Sequence, residues 1–175
     1  MKKIAITSTI LFVFLIACKT STTSTSENKL VVNFESKSNS NTKGTATFIE
    51  KKGQIIFSAN ITGLNPGVHA IHIHDKSDCS SSDGSSAGGH WNPTFKKHGK
   101  WGGMEFHKGD IGNFIADENG NGTITMTTNE WCLGCTDENK NILGKGLIVH
   151  QNQDDFISQP AGNAGARIAC TGLIK

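Results

Sequence analysis

Seven histidines stand out in this 175-residue chain: His69, His72, His74, His90, His98, His107 and His150. His72 and His74 lie two apart in a run of β-forming residues, so their side chains share one face of a strand. His69 has the opposite parity and reads as a structural histidine bonded to nearby backbone, not as a ligand. His90, His98 and His107 punctuate a long Gly- and Lys-rich stretch, with Asp110 three residues after the last, and His150 closes the run Leu-Ile-Val-His. Imidazole suits copper and zinc, and three histidines with one carboxylate make a closed zinc set. Any one of these residues alone reads as an ordinary polar residue of surface or core. Six histidines so spaced, beside an aspartate, read as a metal site. Spacing leaves the metal and the reaction open.

The elements that must position them are short and alternating. Residues 30–34, 45–50, 54–61 and 68–74 are β-like runs rich in Val, Ile, Phe and Thr, with a strong turn at Asn65-Pro66-Gly67. Residues 75–110 hold many Gly, Ser, Lys and His without a convincing period, and a loop this long in a small domain is usually functional. Strands resume at 111–116 and 123–128 around the turn 117–122, followed by 143–150 and 166–174. No stretch keeps a helical period. The expected fold is all-β, a sandwich or barrel of about eight strands with two long loops.

The first 28 residues have another character. Met1-Lys2-Lys3 is a positive start, and residues 4–17 are a mostly apolar stretch of 14 residues. A membrane-crossing helix needs about 20, so residues 1–17 read as a signal peptide. The stretch ends in Leu15-Ile16-Ala17-Cys18, which resembles the bacterial lipobox, with cleavage before the cysteine and a lipid on Cys18. The polar, low-complexity residues up to 28 are a solvated tether, leaving one domain at 29–175. The expected location is a bacterial cell envelope, lipid-anchored on the periplasmic or cell-surface side. Loss of Lys2 and Lys3 leaves 15 basic residues of the 17 against 15 acidic ones, so no basic footprint for nucleic acid remains. With 35% hydrophobic residues and 3 prolines, wholesale disorder and collagen-like architecture are excluded.

Several motifs taken together resemble the copper/zinc superoxide dismutase family. They are Gly67-Val-His-Ala-Ile-His-Ile-His74, Ser86-Ala-Gly-Gly-His-Trp-Asn-Pro93, Lys97-His-Gly99 and His107-Lys-Gly-Asp110. Gly144-Lys-Gly-Leu-Ile-Val-His150, Asp154-Asp155 and Gly162-Asn-Ala-Gly-Ala-Arg-Ile-Ala-Cys170 follow. The resemblance implies an eight-stranded Greek-key β-barrel with a zinc loop and an electrostatic loop. It implies copper at His72, His74, His90 and His150, and zinc at His90, His98, His107 and Asp110. His90 would then serve both metals as an imidazolate, with the cations roughly 6 Å apart across one ring. The implied reaction converts superoxide to dioxygen and hydrogen peroxide by copper redox cycling, with His90 relaying a proton. Asp154 matches the aspartate that joins a copper ligand to a zinc ligand, here His72 and His98. Arg167 matches the arginine that guides the anion to copper.

Cys79 and Cys170 match the family's intrasubunit disulfide, joining the zinc loop to the last strand. Cys132 and Cys135 have no counterpart in that pattern. A local disulfide, a metal-capturing thiol pair and a redox motif all remain open, with a local structural disulfide preferred for an exported chain. The chain departs from the family in Trp91 after the bridging histidine, and its electrostatic loop has no lysine. Trp101, Met104 and Phe106 form an apolar group that is either loop core or a subunit contact, and monomer or homodimer stays open. Two function classes stand: the enzyme, and a metal buffer on the same fold. Loss of a ligand or of Arg167 would favour the buffer, and neither is lost.

Overall fold

The computed structural model describes residues 27–175. The signal segment, Cys18 and nearly all of the tether lie outside the described residues. Alternation governs the first strands. In β1 (Asn28–Ser36) Leu30, Val32 and Phe34 are buried while their neighbours face solvent. The same rule buries Ala46 and Phe48 in β2 (Lys43–Lys51), and Ile55, Phe57, Ala59 and Ile61 in β3 (Gln54–Thr62). β4 (Gly67–His74), β5 (Gly112–Ala116), β6 (Gly122–Thr128), β7 (Gly146–His150) and β8 (Arg167–Gly172) complete the set.

All pairings are antiparallel, and the strands close into a barrel in the order β1-β2-β3-β6-β5-β4-β7-β8. β7 returns over a long connection to lie beside β4 at the edge of the β4-β5-β6 meander, which is a Greek key. Closure leaves no exposed sheet edge. Among the described residues no helix is long and apolar enough to cross a membrane.

β1 begins earlier than its alternation alone indicates. Asn28 pairs with Glu50, and its side-chain amide donates to the Glu50 carboxylate and the Leu133 carbonyl. The expected strand 143–150 starts late, at Gly146, because Gly144 takes the left-handed conformation (φ 81°) and interrupts the ladder.

β4 from His69 onward and all of β7 break the alternation, being buried on both faces. Ile71, Ile73, Leu147 and Val149 face the barrel core. His72, His74 and His150 point the other way, beneath the loops 75–111 and 151–166. The wall opposite the core is therefore covered by chain without regular structure, apart from one 3-10 turn at Ser85–Ala87. The site forms there.

Candidate metal centre

The register of β4 against β7 pairs His72 with Ile148 and His74 with Gly146, placing the two histidines along the first half of β7. His150 lies two residues after Ile148 and so shares its face of the sheet, and His74 Nε2 lies 3.3 Å from His150 Nε2. The first loop returns to β4 through a bridge between His74 and His90, bringing the His90 ring to 4.0 Å from that of His72. One group is therefore His72, His74, His90 and His150. A second is His90, His98, His107 and Asp110. Within each group every residue offers a ligand atom within 4.8 Å of the others, and all are buried. His90 belongs to both.

Backbone and carboxylate partners fix which nitrogen of each ring faces inward. His72 Nε2 and His98 Nε2 each lie 2.9 Å from an oxygen of Asp154, which thus spans the groups. His74 Nδ1 faces the Gly88 carbonyl at 2.9 Å and His107 Nε2 the Lys96 carbonyl at 3.1 Å. The opposite atoms His72 Nδ1, His90 Nε2, His98 Nδ1 and His107 Nδ1 are buried without a hydrogen-bond partner. His98 Nδ1 and His107 Nδ1 approach Asp110 to 3.0 and 3.2 Å, yet without hydrogen-bond alignment. Buried polar atoms are almost always satisfied, and four such orphans aimed into two clusters are donors that cations would satisfy. The donor set fits copper and zinc: imidazoles alone in one cluster, imidazoles with one carboxylate in the other.

Electrostatics agree with that chemistry. Burial and the neighbouring rings hold His74 and His150 well below the ordinary histidine value, and burial with His72 brings His90 to about 4. These rings are neutral at pH 7, with lone pairs open to a cation. Burial opposes charge on His98 too, but Asp110 and Asp154 outweigh it and raise His98 to about 9. Burial also works against both carboxylates, while the three histidine rings around Asp110, and the hydrogen bonds of His72 and His98 to Asp154, hold both well below the usual range.

A cleft of about 450 Å³ opens onto His74, His90 and His150, with Arg167 on its rim. The Arg167 guanidinium donates to the Gly84 carbonyl at 2.8 Å, in the loop that Cys79 ties to Cys170 of β8 with Cα atoms 5.8 Å apart. His69 stands apart from both groups, with its ring nitrogens 3.0 Å from the His150 carbonyl and 2.8 Å from the Asn65 carbonyl. Cys132 and Cys135 form a disulfide with each other and belong to neither cluster. Trp101 is loop core, packed on Phe106 and Trp131 at 5.0 and 5.2 Å, whereas Met104 is 93% exposed.

Two supporting residues escaped sequence reading. Asn113 clasps the Asp154 backbone, donating to its carbonyl (2.9 Å) and accepting from its amide (2.8 Å). Gln159 makes the same double contact with the His98 backbone, both bonds at 2.9 Å. These bonds span 41 and 61 residues, and no local pattern announces them.

A closed eight-stranded Greek-key barrel with two buried histidine clusters sharing one ring defines a two-metal protein. The family model described as copper/zinc superoxide dismutase (SODC) matches residues 42–174. The chain is 37% identical over 143 residues to superoxide dismutase [Cu-Zn] 2 of Mesembryanthemum crystallinum, covering 78% of this chain and 88% of that one. It is 37% identical over 135 residues to superoxide dismutase [Cu-Zn] 2 of Aquifex aeolicus, covering 75% and 78%. The crystal structure of the clock protein EA4 aligns with TM-score 0.73 at 30% identity, over 86% of this chain and 97% of that one. The chain belongs to the copper/zinc superoxide dismutase family. It is an oxidoreductase of that family, whose metals are copper and zinc.

Proposed function

We propose that this chain dismutes superoxide at the shared-histidine site, with copper held by His72, His74, His90 and His150 and zinc by His90, His98, His107 and Asp110. The observation that carries the assignment is His90, whose Nδ1 lies 2.8 Å from Asp110 while its Nε2 is buried and unpartnered in the other cluster. Copper supplies one-electron oxidation and reduction of superoxide when bound, and zinc supplies fixed charge without redox chemistry.

The residues of the chain do the rest. Arg167 places a positive charge on the rim of the cleft, where it attracts a small monoanion and holds it beside the copper ligands. His90, which lines the cleft, would hold copper through Nε2 and, when that bond is released, would carry at the same atom a proton for the reduced substrate. Asp154 accepts from His72 and His98, fixing both tautomers and both ring planes. Gln159 and Asn113 hold the strands of loop that carry these groups.

The Leu15-Ile16-Ala17-Cys18 sequence supports anchoring through a lipid on Cys18, placing this chemistry at a bacterial envelope membrane as a defence against superoxide. Superoxide removal by protein loaded with copper and zinc, compared with protein loaded with zinc alone, tests the reaction. Equal rates would reject it in favour of a metal buffer. Membrane fractionation of Cys18→Ser tests the anchor, and unchanged membrane association would reject it.

A further inference from the structure

The turn from His107 to Asp110 carries two of the zinc-side ligands, and nearly every backbone group in it is tied down. The Asp110 amide donates to the His107 carbonyl, the Gly109 amide to the Trp91 carbonyl, and the Ile73 amide to the Gly109 carbonyl. The Lys108 carbonyl takes a side chain instead: it accepts from Trp131 Nε1 at 2.8 Å across 23 residues. Trp131 is 1% exposed, and its ring meets Phe57 edge-on at 6.3 Å and Trp101 edge-on at 5.2 Å. Trp101 in turn packs on Phe106. One indole therefore grips the loop on both sides of His107, by packing before it and by a hydrogen bond after it. Glu130, just before Trp131, binds the Lys108 ammonium.

Trp131 is itself held by the small loop that follows. The Cys132 amide donates to the Lys140 carbonyl at 2.8 Å, and its carbonyl accepts from the Ile142 amide at 3.1 Å. The bridge from Cys132 to Cys135 ties the first turn of that loop, one residue from the indole. Neither the metal clusters nor the fold closure uses this bridge.

We propose that Trp131, fixed by the Cys132–Cys135 bridge, is a positioning residue for zinc, setting the His107–Asp110 turn through the Lys108 carbonyl. The inference rests on zinc occupying the cluster of His90, His98, His107 and Asp110. Ligand geometry tolerates errors of only about 0.5 Å, so a loop released at Lys108 would retain zinc less well. The alternative is an indole N–H merely satisfied within a core.

The test measures zinc loss to a chelator, the visible spectrum of cobalt substituted for zinc, copper content and the melting point of metal-free protein. Trp131→Phe keeps the ring and removes the donor. It is expected to speed zinc loss about tenfold, the lower range for removal of a bond supporting a ligand. The cobalt spectrum is expected to shift and copper to stay bound. Phe57→Leu, in the same aromatic cluster, is expected to lower the melting point with zinc loss unchanged. Cys132→Ser with Cys135→Ser is expected to move zinc loss as Trp131→Phe does, by a smaller factor. Wild-type zinc loss and cobalt spectrum in Trp131→Phe would overturn the inference, as would equal acceleration in Phe57→Leu. If Trp131→Phe does not fold, wild-type zinc loss in the double cysteine variant overturns it. A cobalt spectrum unmoved by His107→Ala would instead overturn the zinc assignment beneath it.

Discussion

Gly162 lies so close to Asp154 that no side chain fits between them. A Cβ on Gly162 would overlap the Asp154 carboxylate and stand 2.7 Å from His98 Nε2, and the residue is left-handed at φ 64°. Gly162→Ala therefore strains the backbone by about 1–2 kcal/mol and displaces the carboxylate that joins the two clusters. The expected result is weaker zinc retention and a lower melting point. Metal analysis after dialysis against a chelator checks it, and full zinc content would contradict the crowding.

Asp154→Ala leaves two ring nitrogens, His72 Nε2 and His98 Nε2, buried without acceptors. Each loss costs about 1–3 kcal/mol, and metal affinity falls by about 10- to 100-fold. Asp154→Asn keeps the shape and one acceptor, so it is expected to lie between Ala and wild type in competitive titrations. Equal affinity of the Ala variant and wild type would remove Asp154 from the site.

The metal-free protein is expected to be most stable near neutral pH. His98 is raised from 6.5 to about 9, so its contribution is full below pH 6.5 and is lost as pH rises to 9. His90 is lowered to about 4, so the unfolded chain binds a proton that the native state refuses, and stability falls as pH drops from 6.5 to 4. Melting points of metal-free protein across this range give the profile. His98→Asn is expected to remove the alkaline decline, and an unchanged decline in that variant would reject the assignment.

Arg167 ligates neither metal in this arrangement, so Arg167→Ala is expected to keep both bound. Superoxide consumption is expected to fall and to lose sensitivity to salt, because screening acts on the charge that has been removed. Arg167→Glu is expected to be slower still, and Arg167→Lys to retain part of the rate. A glutamate variant matching wild type in rate and salt slope would exclude Arg167 as the guide.

Cys79→Ser opens a 91-residue connection whose closure is worth about 4–5 kcal/mol in the chain-entropy model. Cys132→Ser opens a three-residue one and is expected to cost less global stability. Chemical denaturation of the two variants compares them directly. A larger loss for Cys132→Ser would reverse the ranking.

Strand parity made the His72–His74 pair and the exclusion of His69 legible, because a two-residue period projects directly onto the two faces of a sheet. The loop ligands His90, His98 and His107 have no such period. Their spacing with Asp110 indicated a metal set, the family motifs assigned which metal each would hold, and the folded chain brings them together by tying the loop back onto β4. Asn113, Gln159 and Trp131 were illegible for a related reason: each acts through a backbone group far along the chain. Leu143 looked like strand because it is apolar, while the left-handed Gly144 beside it decides the start of β7.

The pairing of β4 with β7 also has a temporal side. Ile71 meets Val149 across 78 positions, and Glu35 meets Cys170 across 135. Contacts so distant in sequence form slowly, since the connecting chain must be ordered before they reward it. During synthesis β4 emerges with its histidines long before β7 and β8 exist. Of the first histidine group only His150 comes from β7, so the set of four closes only when β7 pairs with β4. The fourth donor of that group is thus supplied by the most distant pairing β4 makes, and the site is complete only in the closed barrel.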